Sequence, residues 1–466
     1  MSMEAKPGQD LPRVLGARHA LAIVIGIIIG SGIFLVPREM IAAVGSSRMV
    51  YLVWIAGGLL SLFGALSYAE IASARPAYGG EYAFLREAYG DLVGFLHMWT
   101  WWTIAKPASI ASVVSGLVRT LATFAVFGFF NHPAFLHMTW GQVAGLCALW
   151  LVTGLDIVGT RKAADVQLGL TVLKVALIAV IAVGCFLFAG PLGSTSHFAS
   201  VFPGARGGLG GFMVALIAAL WAYDGWSDVA AVAGEIKQPQ RNLPVAFIGG
   251  VLAVGGLYML TNAAIQYVLP ASSLAVADRP AADALRLVMA SHGMAWGAML
   301  VSVGMAVSIS ATLVGTTLSG SRIGFAAARD GLFFSSIAKV SPRFETPAIA
   351  LVAQSGIASL LIFAVGRFQA LFSLAIFAEW ITYGLAVSTI FVFRKRDRAA
   401  GVERAFSTPG YPVIPILFIL AAVALTVFQL VDDPRNTLLG CLVILCGVPL
   451  FYHFERRGKA TGRYRL

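Results

Sequence analysis

Twelve membrane-spanning helices, set out as two five-helix halves and a final pair, are what this all-α sequence predicts; the first helix of each half is interrupted. Three observations carry that reading. Of 466 residues, 58% are hydrophobic and 12% charged, and mean hydropathy is +0.83, values of a polytopic membrane chain rather than a soluble core. Lysines and arginines gather in alternate connections. Helix-breaking residues stand in the middle of the first and sixth apolar runs.

The apolar runs lie near 18–43, 50–74, 93–122, 139–157, 167–190, 208–233, 243–269, 294–318, 347–366, 368–393, 411–430 and 435–454. The third gains an amphipathic entry at 81–92. The organisation is one membrane domain: a tail over 1–17, a first repeat over 18–190, a second over 208–393, a closing pair over 411–454, and a tail over 455–466. The even-numbered connections carry Arg75 and Arg86, Arg161 and Lys162, Lys237 and Arg241, then Arg322, Arg329, Lys339 and Arg343. Arg394, Lys395, Arg396, Arg398 and Arg404 follow in the tenth, and Arg456, Arg457, Lys459, Arg463 and Arg465 in the tail. The odd connections hold only Arg38, Arg48, Arg206, Arg279, Arg286, Arg367 and Arg435. Positive charge marks the cytoplasmic side, so both termini are expected there, as an even number of crossings requires. The first residues, with Lys6, Arg13 and Arg18, lack the short apolar core of a cleavable signal and are expected to stay in the cytoplasm of a cell with this protein in its plasma or inner membrane.

A net charge of +11 is explained by that orientation, and no nucleic-acid partner is expected. Fifty glycines imply closely packed helices and breaks. Cys147, Cys185, Cys441 and Cys446 sit in apolar stretches without metal-ligand spacing and read as small buried hydrophobes. No cofactor or metal is expected.

The chemistry lies in the breaks. Gly30-Ser31-Gly32 interrupts the first run, and Asp224-Gly225 interrupts the sixth within Leu220-Trp221-Ala222-Tyr223-Asp224-Gly225-Trp226. Lipid satisfies no free N–H or C=O group, so broken backbone at that depth must face protein or a watery cavity. The N–H groups of one stump favour an anion and the carbonyls of another a cation, which suits a zwitterion. Paired interruptions in the two halves point to an inverted-repeat transporter. That pairing rests on hydropathy and breaker position, because the halves share no evident residue identity.

Gly30-Ser31-Gly32-Ile33-Phe34 with Pro37 resembles the first helix of the amino acid–polyamine–organocation superfamily. The sixth-run stretch, continuing through Glu235-Ile236-Lys237-Gln238-Pro239 to Arg241-Asn242-Leu243-Pro244, is similar to its L-type amino acid transporter branch, especially bacterial members of the serine/threonine-exchanger kind. Lys106-Pro107-Ala108-Ser109, Ala328 to Phe334, Thr346-Pro347-Ala348, Arg404-Ala405-Phe406 and Tyr411-Pro412 extend the match, in order, from about residue 14 to 420. The resemblance implies the LeuT fold and alternating access. It places the substrate carboxylate at N–H groups around Ser31 and Gly32, next to Gly30. The ammonium falls to carbonyls near Ile28 and from Trp221, Ala222 and Asp224, with Trp221 as the outer gate. It also implies that Lys174 puts its ammonium where sodium-coupled relatives hold an ion, between the first helix and the eighth. Such transport is sodium-independent. Animal L-type light chains bind a glycoprotein through a cysteine in the third connection; residues 123–138 have none, so no disulfide-linked heavy chain is expected.

Charges within the runs need reasons, since a lysine at a helix centre costs roughly 2.5–3.5 kcal/mol on insertion. For Lys174 the alternative is snorkelling to an interface. Glu379 departs from most eukaryotic relatives: it lines the far side of the pocket or accepts a proton, or else pairs with a neighbouring helix. Asp224 acts through its backbone in preference to its carboxylate. Lys106 braces a kink or snorkels, and Ser109 and Val113, one turn apart, face the substrate side chain or simply pack. Glu235 reads first as a solvated cap and second as an inner-gate ion pair. Trp99, Trp101 and Trp102 read as an interfacial belt or the surface of the third span rather than a ligand box, and the seven scattered histidines carry no assignment.

The function expected is exchange of neutral, small L-amino acids. The alternative is a proton-coupled symporter with a broader or cationic range. A receptor lacks a signalling domain, and an enzyme lacks a nucleophile elbow, metal cluster or phosphate loop.

Overall fold

The computed structural model describes residues 11–135, 138–294, 296–364, 368–432 and 434–460. Lys6, Arg367, Arg463, Arg465 and positions 136–137 of the third connection lie outside them, as does the side chain of Arg435. Everything described is helical apart from connections and three isolated bridges. The first predicted run becomes α1 (Ala17–Ile28) and α2 (Gly32–Val44), and α3 (Ser47–Ala74) is the second. The amphipathic entry is α4 (Glu81–Tyr89), and the third run is α5 (Asp91–Thr100), a π-helical turn (Trp101–Ala105) and α6 (Lys106–Leu121). Then come α7 (Trp140–Val158), α8 (Thr160–Phe188), α9 (Gly208–Tyr223), α10 (Asp228–Ala231) and α11 (Pro239–Val268). The long connection after α11 folds into α12 (Ala271–Val276) and α13 (Pro280–Ala290). The remainder is α14 (Gly297–Arg329), α15 (Ala348–Ala364), α16 (Phe368–Ala399), α17 (Val413–Asp432) and α18 (Pro434–Ala460).

Among the described residues, seven helical stretches are long and apolar enough to cross a bilayer, or eight when α1 and α2 are taken as one span bent by 42°. Large apolar side chains such as Leu151, Val172, Leu187 and Leu360 project outward from these helices, as on a lipid-facing surface. Two cysteines follow that outward face. Cys147 and Cys446 are exposed and only Cys185 is buried, so the expectation of four buried thiols fails.

The broken helices sit at the centre. α1 packs on α8, α11 and α14, α2 packs on α9, and α3 lies along α11. Trp54 of α3 is fully buried against the edges of Tyr223 and Tyr258, with ring centroids 5.7 and 5.3 Å away. Trp101 and Trp102 are buried as well, not interfacial: Trp101 stacks on His97 and Trp102 meets Phe333 edge-on. The π turn that holds them takes one residue more than an α turn, and it leads directly into the face of α6 that carries Lys106.

At the end of the bundle where α1 begins, backbone pairing closes the structure. The Leu15 N–H donates to the Glu235 carbonyl at 3.0 Å and the Lys237 N–H to the Leu15 carbonyl at 2.8 Å. Glu235 is not a solvated cap. Its carboxylate is wholly buried and pairs with Arg322 at 2.8 Å, and the same guanidinium donates to Thr160 Oγ1 at 2.8 Å. Arg322 is accordingly no loop cation, because α14 runs on past the apolar run to Arg329. Several of the other cations do gather at this end: Arg394 and Arg404 bind Glu70, and Arg75 and Arg404 bind Asp397.

Candidate functional site

At the first break, Ile29 leaves the helical region (ψ 84°) and α2 restarts after Ser31. The opening N–H groups of α2 have no acceptor within their own helix. At the second break Asp224 is extended (ψ 154°) and Gly225 has φ +104°, so α9 stops and α10 restarts at Asp228. The two breaks touch. A Cβ on Gly32 would stand 3.0 Å from that of Ala222, and one on Gly225 would stand 2.5 Å from Ile27 Cγ2. Glycine is needed at 225 twice over, for a φ that side chains resist and for the contact itself.

The carbonyls freed at α1 are not left bare. Lys174, fully buried on α8, donates to Gly26 O and Ile29 O at 2.6 Å each, and to Ser308 O of α14 at 3.3 Å. It therefore does not snorkel. Ser308 Oγ donates to Ile29 O at 2.7 Å, and Thr312 Oγ1 lies 3.2 Å from Gly26 O. The Tyr258 hydroxyl reaches Ile28 O at 3.1 Å and Ala222 O at 2.9 Å, so one phenol bridges both breaks. It has one proton for two acceptors, and each carbonyl keeps capacity for another donor.

Between the breaks lies a cavity of about 90 Å³. Its lining includes every residue assigned to the site from sequence apart from Lys174: Ile28, Gly30, Ser31 and Gly32 of the first break; Trp221, Ala222 and Asp224 of the second; Ser109 and Val113 of α6; and Glu379 of α16. Lys174 stands behind the first break. Sequence reasoning missed Asp228, Ile309, Thr312 and Thr316, which also line the cavity. Lys106, 4% exposed, does not snorkel. Its ammonium is 2.5 Å from Asp228 Oδ1, which Ser319 Oγ approaches at 2.6 Å. Asp224 Oδ1 accepts the Tyr383 hydroxyl at 2.8 Å. A cavity of this size exceeds several-fold the roughly 10–15 Å³ one water needs. Its lining combines the helix-start residues of α2, the residues of both breaks and the carboxyl groups of Asp224, Asp228 and Glu379.

A family model described as "Amino acid permease" matches residues 15–446. The chain belongs to the amino acid permease family. It is 34% identical to the serine/threonine exchanger SteT of Bacillus subtilis (strain 168) over 96% of this chain and 98% of that one. It is 28% identical to the b(0,+)-type amino acid transporter 1 of Homo sapiens (95% and 88% covered) and 30% identical to the Asc-type amino acid transporter 1 of Mus musculus (95% and 81%). The permease is thus a multi-pass membrane protein of amino acid transport, and not an enzyme.

Proposed function

We propose that the permease is a sodium-independent exchanger of small neutral L-amino acids working by alternating access. The observation that carries this is the cavity walled by two helix breaks that contact each other. In this reading the substrate carboxylate meets the N–H groups at Ser31 and Gly32, where the start of α2 favours an anion. The ammonium meets carbonyl lone pairs at Ile28, Trp221 and Ala222. Trp221, half-buried at the rim, closes over the substrate as a large lid with few rotors to order. Lys174 occupies with its ammonium the space between α1, α8 and α14 that a coupling cation would fill, so sodium has no role.

The same reading takes the chain as one LeuT-fold domain with twelve spans: repeats over 18–190 and 208–393, a closing pair over 411–454, and both termini in the cytoplasm of a plasma or inner membrane. The contacts at the α1 end, including the Glu235–Arg322 pair, would then close the cytoplasmic side. The serine/threonine exchange in the name of the Bacillus relative supports both the exchange mode and the substrate size. No disulfide-linked heavy chain is part of this proposal.

The test is counterflow in proteoliposomes. Labelled serine should enter only vesicles loaded with unlabelled serine, threonine or alanine, at a rate unchanged when sodium is replaced by choline. Uptake into empty vesicles driven by a sodium gradient would refute the exchange reading.

A further inference from the structure

The cavity wall carries more negative charge than its one lysine answers. Three carboxyl groups line it, on Asp224, Asp228 and Glu379, against the single ammonium of Lys106. That ammonium is committed: it lies against Asp228 Oδ1, which also receives Ser319. Asp224 has the Tyr383 hydroxyl. Glu379 is 7% exposed and lines the cavity, and among the described residues no hydrogen bond or ion pair engages its carboxylate. The groups that face it are Asp224 and Asp228 from the second break, Lys106 from α6, Glu81 from α4, and Tyr383 from its own helix. All the charged groups in that set other than Lys106 are acids.

Two buried carboxylates beyond the count of their counter-ion cannot both stay ionised without a cation between them, because desolvation and mutual repulsion act together. Such groups titrate as a set that shares protons. The zwitterion's own charges are met at the broken helices in the exchange reading, so the cation that answers Glu379 must come from elsewhere.

We propose that Glu379, with Asp224 beside it, is a cation subsite that holds a proton while a neutral amino acid is bound and exchanges it for the side-chain ammonium of a cationic amino acid. With serine bound, one proton from water sits on the carboxylate pair and crosses with the substrate. With lysine bound, that proton returns to water and the ε-ammonium takes its place. Each loaded carrier then bears the same charge, and exchange of outside serine for inside lysine carries one proton inward per serine.

This rests on the exchange reading, which serine counterflow tests separately. In proteoliposomes of the full-length permease, lysine should inhibit serine counterflow more strongly as pH rises from about 5.5 to about 8, by up to about tenfold per unit where one proton competes with one ammonium. A trapped pH dye should report proton entry during serine–lysine exchange matched to serine entry, and none during serine–serine exchange beyond what leaves. In E379Q, lysine inhibition relative to serine should fall at least about tenfold and lose its pH dependence. E379D, which keeps the charge, should retain that dependence. Lysine inhibition that is absent at every pH, or flat across the range in the wild-type permease, overturns the proposal whatever the variants do. Unchanged lysine inhibition in E379Q does the same. Failure of serine counterflow itself would instead remove the exchange reading.

Discussion

Replacing Lys174 with alanine tests the transport role proposed for it apart from its structural one. Its Nζ makes two contacts of 2.6 Å to Gly26 O and Ile29 O. Hydrogen bonds to a charged group contribute about 1.5–3 kcal/mol each. Neither carbonyl is orphaned by the change, however. Ile29 O keeps Ser308 Oγ at 2.7 Å and Gly26 O keeps Thr312 Oγ1 at 3.2 Å. Removing a lysine from mid-membrane also recovers roughly 2.5–3.5 kcal/mol of insertion cost. Two such bonds total about 3–6 kcal/mol, so the recovery offsets most but not all of their loss. To that remainder is added the void left by the four-carbon stem, about 2–4 kcal/mol by analogy with large-to-small core changes. The variant should therefore insert and run as a single species in detergent, with a lowered Tm. Lys174→Met refills the void and should recover most of that Tm. Neither should exchange. If the ammonium distinguishes the two faces of the transport cycle by about 3 kcal/mol, its loss shifts their ratio more than about 100-fold. Serine counterflow within twofold of wild type in a well-folded Lys174→Ala would refute the reasoning.

Further outcomes follow from other sites. Gly225→Ala places a methyl 2.5 Å from Ile27 Cγ2 at φ +104°; overpacking and backbone strain together should cost more than about 1 kcal/mol and show as a fall in melting temperature in detergent. Arg322→Met leaves Glu235 buried and unpaired, a loss of about 3–5 kcal/mol, whereas adding Glu235→Leu should regain much of it, which a double-mutant cycle on melting temperature measures. Arg75 and Arg404, bonded to Asp397, hold its carboxyl below the usual range. Its folded value lies under its unfolded one, so its stabilisation is complete above the ordinary carboxylate range and is lost as pH falls through the depressed value. Acid scans of melting should steepen below about pH 4 in the wild type, and Asp397→Asn should be flatter there.

The sequence made the breaks legible because breaking residues in an apolar run have few reasons to exist. Gly30-Ser31-Gly32 and Asp224-Gly225 announce themselves, and Lys174 does so by its cost. Partners were harder to see. Asp228 lies close to the end of an apolar run and reads as part of its polar edge, while the Lys106 that answers it is 122 residues away in the chain. Ser308, Thr312 and Tyr258 carry no signature of their own, since mid-helix hydroxyls are common and only the facing carbonyl gives them meaning. Arg322 was misplaced for a related reason: a charge at the edge of an apolar window is taken as the boundary, yet α14 continues seven residues beyond it.

The widened turn over Trp101–Ala105 has its own consequence. It is one spare residue, and it sets the rotational phase of everything after it. Deleting a single position there would swing Lys106, Ser109 and Val113 about 100° round the axis, away from the substrate space, while leaving hydropathy and length almost untouched. In the exchange reading proposed above, a one-residue indel at that point is a route to changing selectivity.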